Sequence, residues 1–515
     1  MRVTSRTVGR DVGRILRVVA LMPVASMVVA ALNGEFFAIP AFAVTALVIA
    51  GVGTALARWY RDADPPGKLE AMVTAALSWA ATGLLGALPF LLIAWTIHVD
   101  PYPGWTNTPA MTETVAVFKR PLDSVFESMS GFTGTGLTMA TIEEDLPRSL
   151  HWWRSFIEWV GGVGVIVLTV AILARPGSGS LTLYESEARS EKIHPSVVST
   201  VQEIWKIYAG LTGASICLFL VVGMPLWDAI NHAMTGIATG GFSVHADSIG
   251  HYGEPIIEYA VVPVMLAGSI AFPVHYLIVK GELENVYRDL QTRWVFIWFG
   301  AGSLLLTGLL VRAGQYETLE ENFRIGLFQF VSATSNAGFG TATIGDGTEQ
   351  VWNASPVLLA CLGMLTGAAA GSTVSGLKLI RVITLVKGTV WQIRGVFVPD
   401  SAVRYLRIGE RRLSEDQFQR EYTEATVVLV LWLAFLAVGV AVLLQVLSPE
   451  HPLEYVVFEV MSAQSNVGLD SGITGPTMPA LSKAMLILNM WVGRLEIIPV
   501  AVLLSSVFSR LDLYR

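Results

Sequence analysis

Ser130-Gly-Phe-Thr-Gly-Thr-Gly136-Leu-Thr, Thr235-Gly-Ile-Ala-Thr-Gly-Gly241-Phe-Ser, Ser332-Ala-Thr-Ser-Asn-Ala-Gly338-Phe-Gly and Ser462-Ala-Gln-Ser-Asn-Val-Gly468-Leu-Asp are four copies of one short pattern. In each, a Ser or Thr stands six residues before a Gly, and Leu or Phe follows the Gly at once. One chain therefore carries the same loop four times, which is what it needs to build a four-walled pore lined by backbone carbonyls.

Working outward, the copies sit in a very apolar chain. Of 515 residues, 53% are hydrophobic and 15% charged, and the mean hydropathy is +0.57. An ordinary soluble protein is excluded. Apolar runs recur near 15–34, 36–57, 71–97, 155–174, 207–224, 256–279, 294–311, 354–386, 424–447 and 484–508. Most reach the roughly 20 residues that a bilayer-spanning helix requires. The sequence predicts an all-α membrane protein with ten transmembrane helices. Each of the last four pairs of runs encloses a half-polar segment, too short and Gly-rich to span, that holds one copy. Such backbone is tolerated at membrane depth only when buried in protein or lining a water-filled cavity.

Orientation follows from Lys and Arg. Arg2, Arg6, Arg10, Arg14 and Arg17 crowd the N-terminal arm, and nine more basic residues, from Lys378 to Arg420, fill the 378–420 connection. With ten spans, both lie on the same side as the C-terminus, which predicts cytoplasmic termini in a multi-pass plasma-membrane protein of a prokaryote. The opposite face carries the acidic clusters Glu143-Glu144-Asp145 and Glu317 to Glu321, which would concentrate cations at an entrance or simply solvate a loop. The first apolar run is too long for a signal-peptide core, and a second follows it directly. Cys217 and Cys361 both lie in apolar runs and imply no disulfide framework. Asn353-Ala-Ser355 fits a glycosylation pattern that arises by chance. Gly161-Gly-Val-Gly164 lies inside a spanning run, where close helix packing explains it better than nucleotide binding. No phosphate-cradling motif is present, and no nucleic-acid partner is expected.

Each copy follows a short amphipathic stretch: Leu122 to Met129, Trp227 to Met234, Phe323 to Val331 and Tyr455 to Met461. These read as half-helices ending near mid-membrane, with the repeat Gly just past the negative end of the helix dipole. Gly there tolerates backbone conformations closed to other residues and lets carbonyls turn inward. Four such loops give a ring of oxygens able to replace the hydration shell of a monovalent cation. The ring candidates are Thr133, Gly134, Thr135 and Gly136; Thr239, Gly240 and Gly241; Asn336, Ala337 and Gly338; and Asn466, Val467 and Gly468.

Two anomalies remain. The run from Trp352 to Lys387 is far longer than a span needs at about 1.5 Å per residue, and its centre reads Thr366-Gly-Ala-Ala-Ala-Gly-Ser-Thr-Val-Ser-Gly376-Leu-Lys378. That centre should break the helix and border the conduction path as a gate, with tight helix packing as the alternative. The gate candidates are Thr366, Gly367, Gly371, Ser372, Thr373, Gly376 and Lys378. Arg494 lies well inside the last run and joins this set, because an intramembrane charge needs an acidic or carbonyl partner. Glu496 points elsewhere on a helix, so that partner is expected on another segment.

These residues resemble the Trk/Ktr/HKT superfamily, most closely its TrkH branch, along nearly the whole chain. Beyond the four loops, the resemblance rests on Phe156-Ile-Glu-Trp159-Val-Gly161-Gly162-Val-Gly164, Glu191-Lys192-Ile-His-Pro195 with Trp205-Lys-Ile-Tyr208, Gly268-Ser-Ile-Ala-Phe272-Pro-Val-His275-Tyr276, Ala370-Gly371-Ser372-Thr373 and Gly493-Arg494-Leu495-Glu496. It implies four membrane–pore–membrane repeats around a pseudo-fourfold axis, at 67–202, 203–290, 291–422 and 423–515, after a two-helix extension at 1–66. It implies Gly136, Gly241, Gly338 and Gly468 as filter glycines, a gate at 366–376 with Arg494, and K+ as the transported ion. Relatives usually carry two glycines at Val374-Ser375, so this loop is stiffer than theirs. Gly136 argues against the sodium-selective plant-type members, which carry Ser there. The resemblance further implies a homodimer in a lipid membrane on a cytosolic TrkA-like nucleotide-binding regulatory subunit, docked near 175–202 and 388–422, with no nucleotide bound by this chain itself.

The expected function is passive or ion-coupled potassium uptake. The alternative is a secondary transporter holding an organic substrate at a broken helix; four re-entrant loops and a single broken helix favour the pore. An enzyme is disfavoured, because no His or carboxylate pair stands at metal-ligand spacing in the spans and His275 is alone.

Overall fold

A computed structural model describes residues 3–99, 108–173, 197–345, 351–399, 404–409 and 411–508. The motif at 191–195, most of the 175–202 linker and parts of the 388–422 connection lie outside the described residues. The chain is mostly helical. Among the described residues six helices are long and apolar enough to cross a membrane: Ser5–Leu32, Phe36–Trp59, Lys68–Val99, Ser199–Val221, Leu290–Ala313 and Glu415–Val446. Two further apolar runs are bent helix pairs, Pro255–Ser269 with Phe272–Val279 at 105° and Ala480–Arg494 with Ile498–Ser506 at 110°. The other two of the ten runs form Arg148–Leu173 and the broken pair Ala354–Thr366 and Leu379–Gly395.

The two bends correct the expectation of a single broken helix. Ile270 and Ala271 are extended, and Pro273 starts the next helix, where its fixed φ suits the first turn. In the last run Glu496 and Ile497 take φ of +53° and +68°, a region a β-branched residue rarely visits. Arg494 thus ends a helix instead of standing within a continuous one.

Four half-length helices lie between spanning segments: Pro121–Thr133, Leu226–Ala238, Leu319–Ser335 and Leu453–Ser465. Small residues let them approach their neighbours, as packing without a hydrophobic drive demands. Gly161 faces the backbone of Phe132, Gly326 the backbone of Thr307, and Gly302 the ring of Phe330. A two-stranded antiparallel hairpin, Leu406–Ile408 with Arg411–Leu413, sits in the 388–422 connection in the register Leu406 opposite Leu413.

Candidate functional site

The four repeats of sequence are four copies of one helix cap. Each half-length helix ends at a left-handed residue, Gly134, Thr239, Asn336 or Asn466. The next N–H reaches back to the carbonyl of the Ser or Thr that opens the pattern: Thr135 to Ser130 at 2.8 Å, Gly240 to Thr235 at 2.9 Å, Ala337 to Ser332 at 3.0 Å and Val467 to Ser462 at 2.9 Å. This is the six-to-one bond of a Schellman cap, and it explains why the Ser or Thr and the Gly keep a fixed interval. The apolar residue after the Gly is the anchor: Leu137, Phe242, Phe339 and Leu469 are all buried.

The repeat glycines close into a ring in chain order. A Cβ placed on Gly136 would meet the Gly240 carbonyl and lie 3.2 Å from the Gly241 Cα; on Gly241, 2.7 Å from the Ala337 oxygen and 3.0 Å from the Gly338 Cα. One on Gly338 would meet Val467 and lie 3.2 Å from the Gly468 Cα, and one on Gly468 would meet Thr135 and lie 3.0 Å from the Gly136 Cα. Their φ values are +87°, +90°, +68° and +96°. Backbone conformation and neighbour contact both demand glycine here. Side chains tie adjacent walls: Asn466 donates to the Thr135 hydroxyl at 2.9 Å and Asn336 donates to the Ser465 carbonyl, while within the first wall the Thr133 and Thr135 hydroxyls lie 2.7 Å apart. Eleven of the thirteen ring candidates of the sequence reading thus meet a neighbouring wall, while the Thr133 hydroxyl stays within its own loop and that of Thr239 turns to Thr373.

A second fourfold feature escaped that reading. Nine residues before each ring glycine stands a polar side chain, Glu127, His232, Gln329 or Glu459, and all four are buried. Each reaches the strand of chain that leaves the ring. Glu127 accepts from the Met139 N–H at 2.8 Å and from the Thr138 hydroxyl at 2.9 Å, and His232 meets Ser243 Oγ at 2.9 Å. Gln329 donates to the Ala342 carbonyl at 3.0 Å, while Glu459 accepts from Ser471 N at 2.9 Å. They act as struts between helix and exit segment. Arg154, on the spanning helix Arg148–Leu173, pairs with Glu127 at 2.7 Å and donates to the Ser243 carbonyl at 2.8 Å, which joins the first wall to the second. On the loop above, burial outweighs the Arg154 charge 3.7 Å away and raises the Glu143 carboxyl to about 7. The equal interval to the ring glycine was the available signal.

The gate candidates form residues 367–378, a non-helical segment between Thr366 and Leu379. Gly367, Gly371 and Gly376 take positive φ, and Ser372, Thr373, Ser375 and Lys378 are buried. The segment lies against the second wall and the first bend. The Thr373 hydroxyl accepts from Thr239 at 3.1 Å and contacts the Gly268 and Ile237 carbonyls at 2.9 and 3.1 Å, while the Phe272 N–H donates to Gly371 at 3.1 Å. Gln291 accepts from the Ala370 N–H at 2.8 Å, and Trp298 donates to the Thr366 hydroxyl at 2.8 Å. Arg494 donates to the Thr373 carbonyl at 3.0 Å, the Ser375 hydroxyl at 2.7 Å and the Gly161 carbonyl at 2.8 Å. Its guanidinium also lies 3.7 Å from a Cβ placed on Gly134. Its partners are carbonyls and one hydroxyl on other segments. Glu496 turns away to Arg381 and to Lys378, whose ammonium also donates to the Val374 carbonyl.

This arrangement has known counterparts. A family profile described as TrkH, cation transport protein, matches residues 105–510. A cation transporter of Methanocaldococcus jannaschii is 32% identical over 85% of this chain and 82% of its own length. The Trk system potassium uptake protein TrkH of Salmonella typhimurium is 31% identical over 91% and 92%. The crystal structure of the potassium transporter TrkH from Vibrio parahaemolyticus superposes with a TM-score of 0.81 at 26% identity, covering 98% of this chain and 99% of that one. By fold and by these matches the chain is one of the cation transport proteins of membranes. It belongs to the TrkH family.

Proposed function

We propose that this chain carries potassium ions across the plasma membrane of a prokaryote through the ring of Gly136, Gly241, Gly338 and Gly468. The observation that carries the reading is the closure of that ring in chain order. Four helix C-termini converge on it, and their dipoles favour a cation there. The carbonyls of residues 133–136, 239–241, 336–338 and 466–468 supply the oxygens that replace bound water. Ten spans, arranged as four repeats at 67–202, 203–290, 291–422 and 423–515 behind a 1–66 extension, frame the ring, with both termini in the cytoplasm. The loop at 366–378, pinned by Arg494, closes the path below the ring and opens when its hydrogen bonds are exchanged. A homodimer on a cytosolic nucleotide-binding subunit sets that exchange in this reading; that relatives are named as parts of a Trk system supports partner subunits in general. Support for potassium as the cargo comes from the same names.

The test is cation flux into vesicles reconstituted with the purified chain. Potassium and rubidium should enter well ahead of sodium. Sodium entering as fast as potassium overturns the reading, and uptake of an organic solute coupled to an ion gradient would replace it.

A further inference from the structure

Three side chains on the loops beyond the ring converge on one point. The first is Glu144, eight residues past Gly136, and the others are His245 and His251, four and ten past Gly241. Their ligand atoms all lie within 4.8 Å of one another. Glu144 Oε1 stands 3.0 Å from His245 Nδ1 and 3.8 Å from His251 Nδ1. The two imidazoles are stacked at 3.6 Å and 4°, so their in-plane Nδ1 lone pairs run parallel, and the exposed His251 ring must turn before both nitrogens can meet one ion. A hydrogen bond satisfies the first pair, whereas 3.8 Å is too long for one at His251.

We propose that Glu144, His245 and His251 bind a divalent cation of the zinc class at the mouth of the ring. Zinc holds nitrogen and carboxylate ligands at about 2.0–2.1 Å in a tetrahedron, which sets its ligands about 3.4 Å apart. The observed 3.0 and 3.8 Å bracket that edge for the two pairs that Glu144 makes, and a turn of the exposed His251 ring completes the set. Two imidazoles select borderline metals over magnesium or calcium. An independent observation points the same way: the far nitrogen of His245, Nε2, lies 3.0 Å from Asp228 Oδ2, and the Tyr252 hydroxyl donates to that oxygen at 2.9 Å. A carboxylate behind a histidine fixes its tautomer and aims the other nitrogen at a metal. Backbone also orients Glu144, through the Ala246 N–H at 3.3 Å. Glu144 and His251 are exposed, so a water completes the tetrahedron from the open side.

The site joins three walls. Residues 248–250, beside His251, bond to Gly340 of the third wall at 3.0 and 3.2 Å. A bound ion therefore clamps the exit segments of the first and second walls while the third is already attached, and it places two positive charges where cations enter. Occupancy should slow cation uptake, a consequence that rests on the pore reading above.

The experiment uses the full chain in lipid nanodiscs, titrated with zinc chloride by calorimetry, and in vesicles for rubidium flux. Zinc should bind one equivalent. His251→Ala should weaken it by about 100-fold and Asp228→Asn by about 10-fold, with magnesium failing to compete. Zinc should slow rubidium flux in the unmodified protein and leave His251→Ala unaffected. Should His245→Ala misfold, His251→Gln, on an exposed side chain, keeps the test open. Absence of zinc binding up to millimolar metal, or binding unchanged in both His251 variants, overturns the site. Zinc bound at these residues with flux unaltered overturns the braking role. Absence of flux without zinc sinks the pore reading instead, and leaves calorimetry to judge the site.

Discussion

The ring loops and the 367–378 loop are built from the same small residues and buried to the same degree, yet they are held in opposite ways. Each ring loop is fixed by its own helix cap and by the backbone of the next loop, so nothing can move without disturbing a neighbour. The 367–378 loop is held from outside, by the Gln291 amide, the Arg494 guanidinium and the backbone of Gly268, Ser269 and Phe272. Contacts of the second kind can be exchanged one at a time for water. One chemistry thus yields an interlocked element and a separately tethered one, and the difference lies in who supplies the hydrogen bonds.

The hardest blow to the rigid side is Gly136→Ser. Its Cβ collides with the Gly240 carbonyl, and its φ of +87° costs an L-residue about 1–2 kcal/mol. The ratio of potassium to sodium flux should drop about tenfold, equivalent to about 1.4 kcal/mol of lost discrimination. An unchanged ratio would mean that the ring does not select. Next comes Arg494→Ala, aimed at the movable side. It removes two charge-assisted bonds to the loop, each worth about 1.5–3 kcal/mol when buried. Basal rubidium flux should rise about tenfold with the flux ratio kept. If a monodisperse, normally inserted variant conducts no more than the parent, the loop is not a barrier. The mildest is Thr373→Val, which deletes the contacts to Thr239, Gly268 and Ile237 at about 1 kcal/mol in net terms. A rise of about threefold in basal flux is expected. A fall in selectivity instead would show that the two elements are not separable.

Much of this was legible in the sequence. Apolar runs locate the spanning helices because lipid leaves little freedom in composition, and the ring register is visible because a cap and a glycine must keep their spacing. Arg494 announced itself as a charge in an apolar run. Its partners did not, because the Gly161 and Thr373 carbonyls are backbone groups with no side-chain signature. The bends at Ile270 and Ile497 were missed although Pro273 and Pro499 stand just beyond them, where a proline suits the first turn of a new helix. Glu127 and Glu459 carry a signal only in their equal interval to the ring glycine, and Arg154 carries none, since its pairing across helices is invisible to local pattern.

Because the ring is written once in a single chain, each wall has its own spelling: Thr-Gly-Thr-Gly, Thr-Gly-Gly, Asn-Ala-Gly and Asn-Val-Gly. In a channel of four identical chains every substitution arrives in quadruplicate. Here it arrives as a quarter dose, so the ring can be retuned by degrees. The same economy allows asymmetry. The 367–378 loop leans on the second wall through Thr239 and Ile237, so a gate working as proposed would take the buttress from that wall and open the doorway from one jamb.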